Sequence, residues 1–229
     1  MFRNTTRIAS IAAVAAMMMV GSANAAPITT GTAIGIDFGP TAPTNFFNTA
    51  NPNPPAGGSI SVGSVFDTTN NTVDGVGFSW ASASGFFNNN DSSSLAGQPA
   101  VFNESNLTDW IGITDGNRST PGVMTLMFTG LDDSRTYDLI VGSGFNSNIT
   151  DVLWTADSQS ATTDSSVGAD SFVTLSGLST DGSGNLVIVG TGTGGTTNRQ
   201  DIVVVSALHL TAGTPIPEPA SLVASGLLG

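Results

Sequence analysis

Apolar residues recur at every second position along much of this chain, and nowhere do they hold a 3.6-residue period. Val76, Phe78 and Trp80 alternate with Gly77, Ser79 and Ala81, and Met124, Leu126 and Phe128 alternate with Thr125, Met127 and Thr129. Tyr137, Leu139 and Val141 share one face, and the run 202–210 puts Ile202, Val204, Leu208 and Leu210 on another. Side chains alternate across a strand, so these runs are half-buried strands. Leu186, Val187, Ile188 and Val189 are apolar without a break, which predicts a strand covered on both faces. Gly, Asn, Asp and Ser clusters at 130–134, 142–148 and 181–185 mark the turns between strands. One short helix is expected near residues 104–111, with Asn103 or Ser105 as its cap. Strands without crossover helices pair mostly antiparallel. The predicted fold is therefore all-β, an antiparallel two-layer β-sandwich over residues 33–211.

Stability has to come from that core alone. The chain has no Cys, which excludes disulfides and cysteine-ligated zinc or iron–sulfur sites. Its formal charge is −12, and Lys is absent throughout. A surface of this sign repels phosphate backbones and anionic headgroups, so nucleic-acid and peripheral membrane binding are disfavoured.

Both termini carry address-like segments. Arg3 and Arg7 precede an uncharged apolar run over residues 8–20, and Ala23-Asn24-Ala25 supplies the small residues that signal peptidase needs. Residues 1–25 read as a signal peptide cleaved before Ala26, with 26–32 as a linker. Cleavage removes two Arg and no acid, so −12 becomes −14 and only Arg118, Arg135 and Arg199 remain as cations. At the other end, Pro217-Glu218-Pro219 cannot continue a helix or a ladder and reads as an extended hinge. Small and apolar residues follow it. Residues 212–229 thereby resemble the PEP-CTERM sorting signal of Gram-negative, matrix-producing bacteria. The resemblance implies processing by an exosortase, transient membrane attachment through the tail, and delivery to the cell surface or extracellular matrix. A complete signal of this kind spans a membrane, which takes roughly 20 apolar residues. Here 220–229 follow the tripeptide and no basic cluster, so the tail is expected to be a truncated or degenerate signal.

Segment order carries a second resemblance. Ile36-Asp37-Phe38-Gly39-Pro40 opens the domain, Gly130-Leu131-Asp132-Asp133-Ser134-Arg135-Thr136-Tyr137 lies mid-chain, and Thr180-Asp181-Gly182-Ser183-Gly184-Asn185 leads into an apolar strand. This resembles the exported jelly-roll, galactose-binding-like domains of planctomycetes and related bacteria. Some of these bind sugars and others are plain structural modules, so the fold alone does not fix the function.

The residues offer three candidate chemistries. For catalysis, His209 is the single histidine and alternates with Leu208 and Leu210, so it is expected to point to solvent. Glu104 and Glu218 are the only glutamates, and no nucleophile elbow, P-loop or H-E-x-x-H pattern occurs. A polysaccharide hydrolase is thus the most distant reading, and the protein is expected not to be an enzyme. For calcium, Asp181, Ser183 and Asn185 set oxygen side chains on alternate positions, as hard-cation loops do. The competing reading is a Gly-rich turn in which Asp181 bonds its own backbone. For carbohydrate, Phe86, Phe87 and Asn88 in an expected loop, and Trp110 beside Asn106 and Asp109, combine rings for stacking with polar groups for hydroxyls. Core packing of the phenylalanines is the alternative there. The overall expectation is an exported, non-catalytic cell-surface or matrix protein, with a polysaccharide-binding module of the same fold as the alternative.

Overall fold

An apolar alternation becomes a strand when one side finds cover and the backbone finds a ladder. The computed structural model describes residues 28–39, 47–50, 58–61, 63–83, 86–90, 98–102, 109–114, 116–143, 151–164, 171–194 and 199–217. Among these residues the order is β1 (Ala33–Phe38), β2 (Asn48–Ala50), β3 (Gly58–Ile60), β4 (Gly77–Ser82) and β5 (Phe86–Asn90). Next come β6 (Asp109–Ile113), β7 (Val123–Thr129), β8 (Arg135–Gly142), β9 (Asp151–Ala156) and β10 (Gln159–Asp164). The last are β11 (Phe172–Leu178), β12 (Leu186–Gly192), β13 (Val203–Val205) and β14 (Ala207–Pro215).

The strands form a five-stranded sheet β11-β8-β14-β1-β2, a six-stranded sheet β10-β9-β12-β7-β4-β3 and a small sheet β13-β6-β5. Within the described residues β1–β2 is parallel, and the other strand pairs are antiparallel. The strand order is that of a jelly roll. Following β1, β7, β8, β9, β10, β11, β12 and β14, the chain crosses to the opposite sheet at each step except the β9–β10 hairpin. The two quartets β1-β14-β8-β11 and β7-β12-β9-β10 are the facing layers. The stretch between β1 and β7 adds β2 to one layer, β3 and β4 to the other, and supplies β5 and β6 to the small sheet.

The core fills the space between the layers. Ile34, Ile36 and Phe38 of β1 meet Phe78, Leu126 and Phe128 from the opposite sheet, all buried. The Phe38 and Phe78 rings lie 5.9 Å apart, edge to face, and Phe78 and Phe128 4.8 Å apart. Trp154 is fully buried, and its Nε1 donates to Thr163 Oγ1 at 3.0 Å. Its ring lies over Gly190, where an added Cβ would come within 2.6 Å of it.

The structure corrects four expectations. The helix near 104–111 is not there in its described part: Asp109–Ile113 is β6, paired with β5 and β13, and 103–108 lie outside the described residues. Phe86–Asn90 is the strand β5 rather than a loop. The all-apolar run in β12 is covered on one face only, since Leu186 and Ile188 are buried while Val187 is 41% exposed. The run 202–210 is two strands. Ser206 breaks it: its N–H donates to Gly142 O, and its carbonyl accepts from Phe38 N–H. One residue between ladders shifts the alternation. Val203 and Val205 join Leu208 and Leu210 in the main core, whereas Ile202 and Val204 pack with Trp110 in a satellite cluster.

Candidate functional site

The Asp181 loop is a self-contained turn. Asp181 Oδ1 accepts from the backbone N–H groups of Ser183 and Asn185 at 2.9 and 3.1 Å, and Oδ2 accepts from Asn185 Nδ2 at 2.9 Å. The Asp181 N–H closes the loop on Asn185 O. These bonds, the Asn185 side chain foremost, hold the carboxyl below its usual range. Asp67 builds the same turn from unrelated residues. Its Oδ1 accepts from Thr69 and Asn71 N–H, and its N–H bonds Asn71 O. In both loops the fourth residue is left-handed, Asn70 at φ 69° and Gly184 at φ 74°. The repetition identifies the pattern as turn chemistry. Both carboxylate oxygens of Asp181 already accept N–H bonds from within the loop, as a self-bonded turn requires. Among the described residues no three His, Cys, Asp or Glu side chains converge on a point where an ion could sit.

Neighbouring acids tie the same end of the sandwich together. Asp133 Oδ1 accepts from Gly184 N–H at 2.8 Å and from the Thr180 hydroxyl. Asp132 accepts from Ser134 N–H and hydroxyl and pairs with Arg135 Nε at 2.9 Å. Tyr137 Oη accepts from Asp132 N–H and donates to Asp132 O, which fastens the 130–134 turn to β8. An added Cβ at Gly130 would meet Gly75 O at 1.9 Å, and its φ is 72°, so this turn accepts only glycine.

The aromatic candidates are packed away. Phe86 is buried in the main core opposite Ile113 of β6. Trp110, read from sequence as a stacking surface, is 3% exposed and packs on Ile202 and Val204. Burial withdraws its face from any sugar. Phe87 and Asn88 lie in β5 opposite Gly112 and Ile111, and their side chains are outside the described set. Of the sorting residues, Ala23, Ala25, Ala26, Glu218 and Pro219 lie outside the described residues, and Pro217 is exposed.

His209 does not reach solvent. It points to the outer face of the five-stranded sheet, as its alternation with Leu208 and Leu210 requires, but that face has a lid. Phe47 and Phe102 place their rings 6.2 and 6.4 Å from the imidazole, and Phe172 stacks on Phe102. Gly35, the β1 partner of His209, makes room for Phe47, whose ring lies 2.5 Å from where a Cβ would stand. Burial pushes the His209 pKa down, favouring the neutral imidazole. Nδ1 lies 3.3 Å from Thr211 Oγ1.

Sequence reasoning missed one polar centre. Arg199 grips Asp201 with Nε at 2.8 Å and Nη2 at 2.9 Å, and Thr114 Oγ1 donates to Asp201 Oδ2 at 2.5 Å. The Arg199 bonds bring the Asp201 pKa down to about 2. This pair anchors the loop before β13 to the end of β6. The available signal was Arg-x-Asp in an extended segment, where positions two apart share a side, in a chain with so few cations.

No family model matches the sequence, and no curated protein matches it. Three solved structures illustrate the similarities found. CBM35 from Cellvibrio japonicus Abf62 is 8% identical with a TM-score of 0.31, over 59% of this chain and 94% of that one. The enzymatically active domain of tailspike protein 4 from bacteriophage CBA120 is 15% identical with a TM-score of 0.33, over 60% of this chain and 19% of that one. The ANXUR2 extracellular domain from Arabidopsis thaliana is 11% identical with a TM-score of 0.34, over 73% and 58%. Similarity at this level says nothing about activity, and the jelly-roll assignment rests on the strand order itself.

Proposed function

We propose that this chain is an exported, non-catalytic jelly-roll protein of the bacterial surface or matrix, sorted through its C-terminal Pro-Glu-Pro segment. One observation carries the reading. The final ladder ends where the tripeptide begins: Pro215 pairs with Arg135, Ile216 N–H donates to Ser134 O at 2.6 Å, and Pro217 is exposed. A processing enzyme that reads the tripeptide would find its first residue, Pro217, at the surface. Among the described residues, three polar side chains of the kinds that catalysis or calcium binding uses are engaged in the fold, Asp181 in its turn, Asp201 with Arg199 and His209 under its aromatic lid. The test is expression in a bacterium that carries an exosortase. The wild-type product is expected at the surface, starting at Ala26 and processed near Pro217, and a Glu218→Ala chain is expected to stay unprocessed. Identical fates for the two chains overturn the sorting role, and a surface product that retains Arg3 overturns signal-peptide cleavage.

Polysaccharide binding is the second reading. It is favoured by β5, an edge strand of the small sheet that sets Phe87 opposite Gly112, a residue without a side chain. A glycan array decides it. Binding lost in Phe87→Ala supports the module, and no binding by the wild-type chain removes it.

A further inference from the structure

The two outer faces of the sandwich are unlike. The five-stranded sheet is covered by the chain's own Phe47 and Phe102. Among the described residues, the outer face of the six-stranded sheet has no comparable aromatic cover. Its register sets Ala81, Thr125, Val189, Thr155 and Ser160 in a row across β4, β7, β12, β9 and β10. In the rows on either side, Val187 is 41% and Val123 45% exposed. Among the described strand residues of this face, charge enters at one corner, where Asp151 and Asp164 are cross-strand partners.

A face almost without charge is unexpected on a chain of formal charge −12. Any approach of two copies through their acidic surfaces sets like charges together. Approach through this face avoids most of that cost. Sheets pack face to face about 10 Å apart, and stiff β-branched Val and Thr lose little rotamer freedom on contact. Six strands ~4.8 Å apart, with about five residues each at ~3.3 Å, give a plane on the order of 400 Å² per copy. Two such planes total about 800 Å², below the ~1,000 Å² of stable specific interfaces and in the range of weak, transient ones. We propose that this face binds a second copy of the chain, sheet on sheet across a twofold axis, in a weak dimer.

Sedimentation velocity of the full chain over a concentration series tests this. A reversible monomer–dimer equilibrium is expected, tightening as salt screens the acidic remainder. Val187→Asp and Thr155→Asp are each expected to weaken it at least tenfold, a loss of about 1.4 kcal/mol or more. Val101→Asp, an exposed position outside this sheet, is expected to leave it unchanged. Far-UV circular dichroism checks the fold of each variant, and the use of two positions covers the failure of either. A chain that stays monomeric across its solubility range overturns the proposal. Self-association that both folded variants retain overturns it as well, by placing the contact elsewhere.

Discussion

The Tyr137 hydroxyl does two things at one turn, accepting from Asp132 N–H at 2.8 Å and donating to Asp132 O at 3.1 Å. Burial pushes its pKa up to about 12, so it holds both bonds throughout the neutral range. Tyr137→Phe leaves two backbone groups to find other partners, and urea denaturation is expected to show a loss of ~1–2 kcal/mol. An unchanged midpoint would mean that water replaces the hydroxyl. His209 gives a prediction with a sign. Its folded pKa lies below the ordinary 6.5 because burial disfavours the cation. As pH falls through 6.5 the unfolded chain takes up the proton first, so this contribution is complete above that pH and fades below it. Urea midpoints at about pH 7.5 and about pH 5.5 are expected to diverge more in wild type than in His209→Leu. Equal divergence in both chains would assign the effect to the carboxylates. Alternation gave the side of the strand on which His209 lies. It carried no information about Phe47 and Phe102, which come from distant segments to cover that side.

At the scale of elements, Ser206 decides how the end of the chain enters the core. It lets β13 pair with β6 and β14 pair with β1 and β8, with the apolar alternation shifted by one residue between them. Deleting Ser206 would bring Val203, Val205, Leu208 and Leu210 into one period-two series, but it removes the spacer between ladders of two different sheets and the partners of Gly142 O and Phe38 N–H. The expected result is a folded chain that melts earlier by circular dichroism, because buried backbone groups lose their hydrogen bonds. A deletion variant that melts as wild type does would show that the break between β13 and β14 adds nothing to stability. The strands at 76–82, 123–129 and 135–142 were legible because each runs straight through one sheet, with one side buried. The run 202–210 was misread because a period of two does not reveal a break that both flanking segments satisfy. Asp109–Ile113 was misread as helical because a short apolar segment after Ser and Asn suits a capped helix as well as a strand, and its pairing with β5 and β13 is tertiary.

For the whole molecule, charge and turns meet in the response to divalent cations. The chain carries −12, or −14 once residues 1–25 are removed, with three Arg remaining as its cations. Folding concentrates these acids on one surface, so salt stabilises the compact state by screening. A calcium site would do something different. It would bind only the folded state and raise the melting temperature in proportion to its affinity. Asp181, Ser183 and Asn185 resembled such a site in sequence because alternating oxygens define both a hard-cation loop and a self-bonded turn. What distinguishes the two is the direction of the N–H groups, and the Asp67 loop, built the same way, shows them turned inward. The melting temperature is therefore expected to rise equally with Ca²⁺ and Mg²⁺ at matched ionic strength, and EDTA in plain buffer should leave it unchanged. Asp181→Ala is expected to lower it through loss of the turn while keeping the same response to both ions. A rise specific to Ca²⁺ that disappears in Asp181→Ala would restore the calcium site and refute the assignment of these oxygens to the turn.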